Sequence, residues 1–320
     1  VSRIRKIAFE EHFTAVGFGD YSKSFVSQID PEVAADLGRR LTDFDDVRLQ
    51  EMDAAGIDYV ILSQTGPGVQ VEKDTAVAIA RSKENNDFLA QQIARHPTRY
   101  GGFATLPMQD PKAAADELER AVKELGFKGA LVNGHTNGVY YDGPEYDVFW
   151  ERVQALDVPF YLHPFDSYGM PHAYTGHPEM TGATWGWGVE TATHALRLLF
   201  GGVFDRFPGV KVILGHMGEG LPFQRWRFDS RFAVYPCGVT LKRKPSEYIG
   251  TNIVITTSGV CSSATLMGAI GEMGAEAVMF SVDYPYESSS VAADFIEQAP
   301  MDDATRALVC HGNAERLFKL

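Results

Sequence analysis

The stretch RKIAFEEHF, Arg5–Phe13, sets two acids and a histidine at the end of an apolar run. Ile7 and Ala8, with Ile4 before them, suit a first core strand over RKIAFE (5–10), and charge at the end of such a strand is costly unless it is paired or solvated. Glu10 and His12 are two residues apart, so on extended backbone both side chains project to one face. Runs of the same kind recur outward from this one: DYVILSQ (58–64), YGGFATL (100–106), KGALVN (128–133), VPFYLH (158–163), VKVILGH (210–216), NIVITTS (252–258) and AVMFSVD (277–283). Their apolar residues are nearly continuous rather than alternating, which is the pattern of a parallel sheet buried on both faces.

Amphipathic segments lie between these runs, among them 47–56, 74–97, 111–126, 146–156, 189–208, 263–274 and 302–318. Asp110-Pro111 opens one of them, and Gly56, Gly126 and Gly274 close others. Eight strands, each followed by helix-like sequence, predict an α/β fold of the (β/α)8 barrel type, one domain over residues 1–320. A doubly wound sheet is the alternative, but no GxGxxG follows the first strand. Residues 14–45 and 164–188 are too long for simple connections and read as loops that lid or line a pocket.

Of the 320 residues, 45% are hydrophobic and 22% charged, ordinary for a globular chain with material for a core. A net charge of -13 argues against nucleic acid or an anionic membrane as partner, while leaving room for a small anionic substrate. Cys237, Cys261 and Cys310 are scattered without CxxC spacing, which reads as reduced thiols in the cytoplasm. No run is long and apolar enough for a membrane span.

In a barrel, chemistry sits where strands end. Those ends carry Glu10 and His12, then Asn133, His163, His216 and Asp283. Each has an ordinary reading alone: His163 and His216 as hydrogen-bonded strand ends, Asp283 as a turn residue before Tyr284-Pro285, Glu10 as a solvated edge. Three histidines and two acids brought by four strands to one mouth point instead to a metal centre. His194, on a helical face with Ala195 and Leu198, reads as structural.

These motifs resemble the amidohydrolase superfamily and, within its amidohydrolase 2 group, the metal-dependent non-oxidative decarboxylases of ortho-hydroxylated benzoates, which act on γ-resorcylate (2,6-dihydroxybenzoate), 2,3-dihydroxybenzoate or 5-carboxyvanillate. AFEEHF, DAAGIDYVILSQTGPGVQ, GFKGALVNG, LDVPFYLHP, GVFDRFPGVKVILGHMGEGLP, ITTSG, FSVDYPYE and NAERLFKL carry the resemblance nearly end to end. It implies that Glu10, His12, His163 and Asp283 bind one divalent metal, zinc or manganese, with His216 beside them and Glu219 orienting His216. The superfamily's commoner first motif is HxH; here it is ExH, whose carboxylate suits manganese as well as zinc. Two-metal relatives need a bridging lysine or acid at the end of strand 4, where this chain has Asn133. The resemblance further suggests substrate contacts from Arg48 and, across a subunit interface, Arg227. Phe18 or Phe25 in the first loop, with Trp185 or Trp187 in the second, would sandwich an aromatic ring. A homodimer or homotetramer is implied, with RWRFDSRFAVYP (225–236) at the contact.

Loss of carbon dioxide from an arene leaves an unstable aryl anion unless the ring carbon is protonated first. Asp283 is the expected proton donor, with His216 passing protons, and the substrate is a small aromatic carboxylic acid chelated through carboxylate and phenolate. The rival expectation is a hydrolase of the same superfamily, acting on a lactone or amide with Asp283 as base; a non-enzymatic binding barrel is the third.

Overall fold

A computed structural model describes residues 3–22 and 29–320. Its strands are β1 (Lys6–Phe13), β2 (Ile57–Gln64), β3 (Tyr100–Gly102), β4 (Ala130–Asn133), β5 (Phe160–His163), β6 (Val212–Leu214), β7 (Ile253–Thr256) and β8 (Val278–Met279). Neighbours pair in parallel, β1 to β3 in one hydrogen-bonded sheet and β4 to β8 in another. Parallel bridges close both gaps, Ala104 to Ala130 ahead of β4 and Glu11 to Tyr284 after β8. The result is the (β/α)8 barrel that the order of apolar runs predicts. The later strands are shorter than their apolar runs, because residues past the ladder turn their backbone into the loops of the mouth.

Among the described residues, the helices of eight or more residues are α1 (Pro31–Thr42), α2 (Val47–Ala55), α3 (Thr75–Arg95), α4 (Pro111–Lys123), α5 (Asp147–Leu156), α6 (Gly186–Phe200), α7 (Arg225–Phe232), α8 (Ser263–Met273) and α9 (Ser289–Gln298). Asp30, Asp74 and Asp110 cap α1, α3 and α4, each carboxylate accepting from two amides of the first turn. The expected helix over 189–208 instead starts at Gly186 and breaks at Gly201–Gly202. The 302–318 segment is two short helices around a wide turn at Leu308–Gly312.

Ile7, Phe9, Ile61, Phe103, Leu131, Tyr161, Ile213, Val254 and Met279 fill the barrel interior, closed from below by Ala314 and Phe318. Ala8, Val60, Leu62, Val132 and Leu162 face the other way, into the layer between strands and helices. On strict alternation Glu10 and His12 would share Ala8's side, away from the interior. The register shows why they do not. Between the Ala8–Val60 and Glu11–Leu62 pairings, β1 advances three residues and β2 two. That extra residue is a β-bulge, and it reverses the facing of the residues beyond it. Ser281 Oγ accepts from the amides of both Phe9 (2.9 Å) and Glu10 (2.6 Å), satisfying donors that the bulge takes out of the ladder. The Ser281 hydroxyl in turn faces Glu11 Oε1 at 3.3 Å, which also accepts from the Val282 amide. Glu11 is thereby turned outward and buried, and burial pushes its carboxyl up to about 8 against the partial relief of that amide.

Candidate metal centre and active site

Backbone pairing sets the centre's seam: the Asp283 amide donates to Glu10 O at 2.9 Å and the His12 amide to Tyr284 O at 2.7 Å. Asp283 is thus fixed beside the bulged end of β1. β4 and β5 pair Asn133 with His163, bringing the second histidine to the same height. Glu10, His12, His163 and Asp283 each offer one donor atom, and the four atoms lie within 4.8 Å of one another.

The opposite atom of each of Glu10, His12 and His163 is already engaged. Glu10 Oε2 accepts from the hydroxyls of Tyr161 and Ser258 and, at 3.4 Å, from that of Thr256. His12 Nδ1 faces Ser63 Oγ at 3.1 Å, and His163 Nδ1 donates to Pro164 O at 3.0 Å. These contacts aim Glu10 Oε1, His12 Nε2 and His163 Nε2 inward. Glu10 Oε1, His12 Nε2 and Asp283 Oδ1 are buried without a hydrogen-bond partner. Glu10 Oε1 stands 3.4 Å from His163 Nε2, and Asp283 Oδ1 3.2 Å from His12 Nε2. Gly215 completes the fit, since a Cβ there would lie 2.5 Å from a Glu10 oxygen.

Buried orphaned atoms from one imidazole and two carboxylates, with the His163 imidazole beside them, are a large cost that a divalent cation would relieve. The residues present therefore fit a zinc- or manganese-like ion. Burial raises the Glu10 carboxyl above its ordinary range despite nearby His216. Burial, with His12 close by, drives His163 well below the usual imidazole value, keeping it neutral as a ligand must be.

His216 stands over this group. Its Nδ1 donates to Glu219 Oε1 at 2.8 Å, and its Nε2 faces Asp283 Oδ2 at 3.4 Å. Burial alone would lower His216, but Glu10 and Glu219 carry it well above its ordinary value. Burial would raise Asp283; the His12 and His216 imidazoles beside it instead hold it below the usual carboxylate range. The turn bearing these groups is strained, with His216, Met217 and Glu219 all at positive φ near 50°.

The remaining expected contacts divide. Arg48 is 1% exposed: its guanidinium donates to the carbonyls of His12, Asp43 and Arg40 and stacks on Tyr284, while its Nη1 is buried without a partner. Phe18 is likewise buried, packed on the core under Arg81, and lines a surface cavity with Ala15, Glu84 and Phe88. Both burials have one cause, the fold of the first loop over β1, which a linear pattern does not display. Phe25 lies outside the described residues. Trp187 is partly buried, its indole N–H donating to Asp166 at 2.6 Å, and Trp185 is exposed. Arg227 lines a surface cavity of about 420 Å³ with Phe200, Phe228, Phe232 and Tyr235.

The hydroxyls that grip Glu10, and those of Ser63 and Ser281, are not among the residues that the strand ends single out. A signal existed for Tyr161, Thr256 and Ser258: period two puts them on the inward face with His163 and Val254. His135 and His194 are also buried with one unpartnered ring nitrogen each, yet their neighbours are the rings of Tyr140, Tyr141, Phe165 and Tyr168, and they stand apart from the four-residue group.

The amidohydrolase family model matches residues 12–320, and the chain belongs to that family, in its decarboxylase branch. Gamma-resorcylate decarboxylase of Polaromonas sp. is 48% identical over 98% of this chain and 98% of its own length. A crystal structure of dihydroxybenzoic acid decarboxylase from Polaromonas sp., with bound manganese and the inhibitor 2-nitroresorcinol, superposes with a TM-score of 0.93 at 47% identity, covering 99% of this chain and 97% of that one. A 2,6-dihydroxybenzoate decarboxylase complexed with 2,6-dihydroxybenzoate has the same TM-score at 44% identity over 99% and 100% of the two chains. No described helix is long and apolar enough to cross a membrane.

Proposed function

We propose that this protein is a carboxy-lyase that removes carbon dioxide, without oxidation, from an ortho-hydroxylated benzoate of the 2,6-dihydroxybenzoate kind. The observation that carries the reading is the convergence of Glu10, His12, His163 and Asp283, three of them with buried orphaned atoms, in a chain nearly half identical over its whole length to gamma-resorcylate decarboxylase. One divalent ion per chain, manganese or zinc, would be held by these four residues and would supply Lewis-acid stabilisation and two sites for substrate oxygens.

The chain's own groups move the proton. His216 carries it in the resting site, held there by Glu219, and faces Asp283 Oδ2 across 3.4 Å. Asp283 receives it and delivers it to the ring carbon bearing the carboxylate. The carbon–carbon bond then breaks, its electron pair returns to the ring, and carbon dioxide leaves. The series Glu219, His216, Asp283 makes this a relay in which His216 stores the proton, rather than a single standing acid. Trp187, held by Asp166, would be a wall for the ring, and Arg227, at a surface cavity on α7, would reach the site of a second copy. A homodimer or homotetramer joined through α7 is the assembly that would place it there, and light scattering reads that directly. The cytoplasm suits three cysteines that form no disulfide.

Purified protein reconstituted with manganese or zinc is incubated with 2,6- and 2,3-dihydroxybenzoate, and bicarbonate release is followed. Release at one equivalent per substrate consumed is expected. No turnover of any ortho-hydroxybenzoate, with hydrolysis of a lactone or amide instead, would overturn the reading.

A further inference from the structure

α6 packs its first turn over Glu219, and the residue at the contact is Gly188. Its backbone does not require glycine, since it is not among the positive-φ residues and lies inside a helix. There glycine costs about 1 kcal/mol relative to alanine. A Cβ at this position would stand 2.8 Å from Glu219 Oε2, closer than carbon and oxygen tolerate. Nothing else lies within reach of that Cβ. Gly186, two residues earlier, is different: its Cβ would meet the Met180 carbonyl and the Tyr174 ring, neither of them part of the site.

The atom in the way is the far end of a flexible side chain, so an added methyl displaces Glu219 and leaves the helix in place. Glu219 Oε1 belongs to the same carboxylate and accepts from His216 Nδ1 at 2.8 Å. We propose that Gly188 is a positioning residue for His216: the missing side chain on α6 makes the space in which the Glu219 carboxylate reaches His216 Nδ1. The expectation for activity rests on the decarboxylase reading; the geometric part does not.

Gly188→Ala is made in the wild-type chain and in Glu219→Ala, where no carboxylate remains to be displaced. In the wild-type chain kcat should fall about tenfold, the scale of losing a contact that orients a site residue, with KM within about twofold and the thermal midpoint unchanged or raised. In Glu219→Ala the same change should be silent, which a merely structural role for Gly188 would not produce. Wild-type activity in Gly188→Ala, or an equal loss in both backgrounds, would overturn the proposal. A crystal structure of Gly188→Ala supplies the readout that does not depend on turnover: Glu219 swung away from His216 Nδ1 supports it, and an unchanged 2.8 Å contact sinks it. Absence of decarboxylation by the wild-type protein would fail the functional reading alone, leaving the crystal structure to decide this one.

Discussion

β1 and β5 deliver their ligands to the same centre by different means. β5 is regular: Tyr161 lies in the interior, and His163, two residues on, follows it to the same face. β1 is not: Ile7 and Phe9 face the interior, and Glu10 and His12 join them only because a bulge intervenes. The bulge needs supports that β5 does not, namely Ser281 Oγ on two amides and a buried Glu11 on the outer side. A regular strand places one ligand at no structural cost, whereas an irregular one places two ligands at the cost of a buried acid.

The largest effect should be blind to this difference. Glu10→Gln strips one donor of four of its charge and His163→Asn removes another's imidazole, and both should lower kcat/KM by more than about a thousandfold, the scale of several kcal/mol of lost metal and transition-state stabilisation. Steady-state kinetics with metal analysis checks this, and a Glu10→Gln enzyme that keeps its metal and its rate would remove β1 from the centre.

Ser281→Ala separates the strands. It leaves two bulge amides without their acceptor, for about 1–3 kcal/mol of stability, and should weaken metal binding about 10–100-fold by loosening both β1 ligands together. Calorimetric titration of metal into the apo protein is the measurement. Lost stability with unchanged affinity would mean that the bulge holds its shape without Ser281.

The same contrast sets what was legible in the sequence. Eight apolar runs in order, with histidines and acids at their ends, suffice for the barrel and for the four-residue group, because strand ends in a parallel barrel all point to one mouth. The bulge was not legible: FEEHF read as plain alternation puts Glu10 and His12 on one face, correctly, but on Ala8's face. Register belongs to a pair of strands, and one strand's sequence does not contain it. The burial of Arg48 was not legible for a related reason, since a guanidinium on an amphipathic segment reads as exposed until the carbonyls of His12 and Arg40 are folded around it. α1 carries Val33, Leu37 and Leu41 at helical spacing, a stripe that the reading of 14–45 as a loop passed over.

Glu11 offers a pH test of the bulge's outer side. Its carboxyl is raised from an ordinary 4.5 to about 8, so between these values the unfolded chain has lost a proton that the folded one keeps. Stability from this group is then full below pH 4.5 and is lost as pH rises to 8, by up to about 1.4 kcal/mol per unit. Glu11→Gln, neutral throughout, should lack that slope. Urea unfolding of both proteins in chelator at about pH 5, 6 and 7 measures the difference, and parallel lines would mean that Glu11 is ionised in the fold.

The smallest effect belongs to the regular strand. Tyr161 donates its hydroxyl to Glu10 Oε2 from inside β5, but Ser258 and Thr256 reach the same oxygen from the β7 side. Tyr161→Phe removes one donor of three and keeps the ring that packs on Phe9 and Phe103. Glu10 keeps its aim, so the loss should stay near that of one hydrogen bond, about 0.5–1.5 kcal/mol, or threefold to tenfold in metal affinity. Ser258→Ala tests the same oxygen from the other wall, and the double variant shows whether the hydroxyls are redundant. If Tyr161→Phe alone is as damaging as Glu10→Gln, Glu10 is aimed by β5 rather than by its own bulge, and the two strands are not independent.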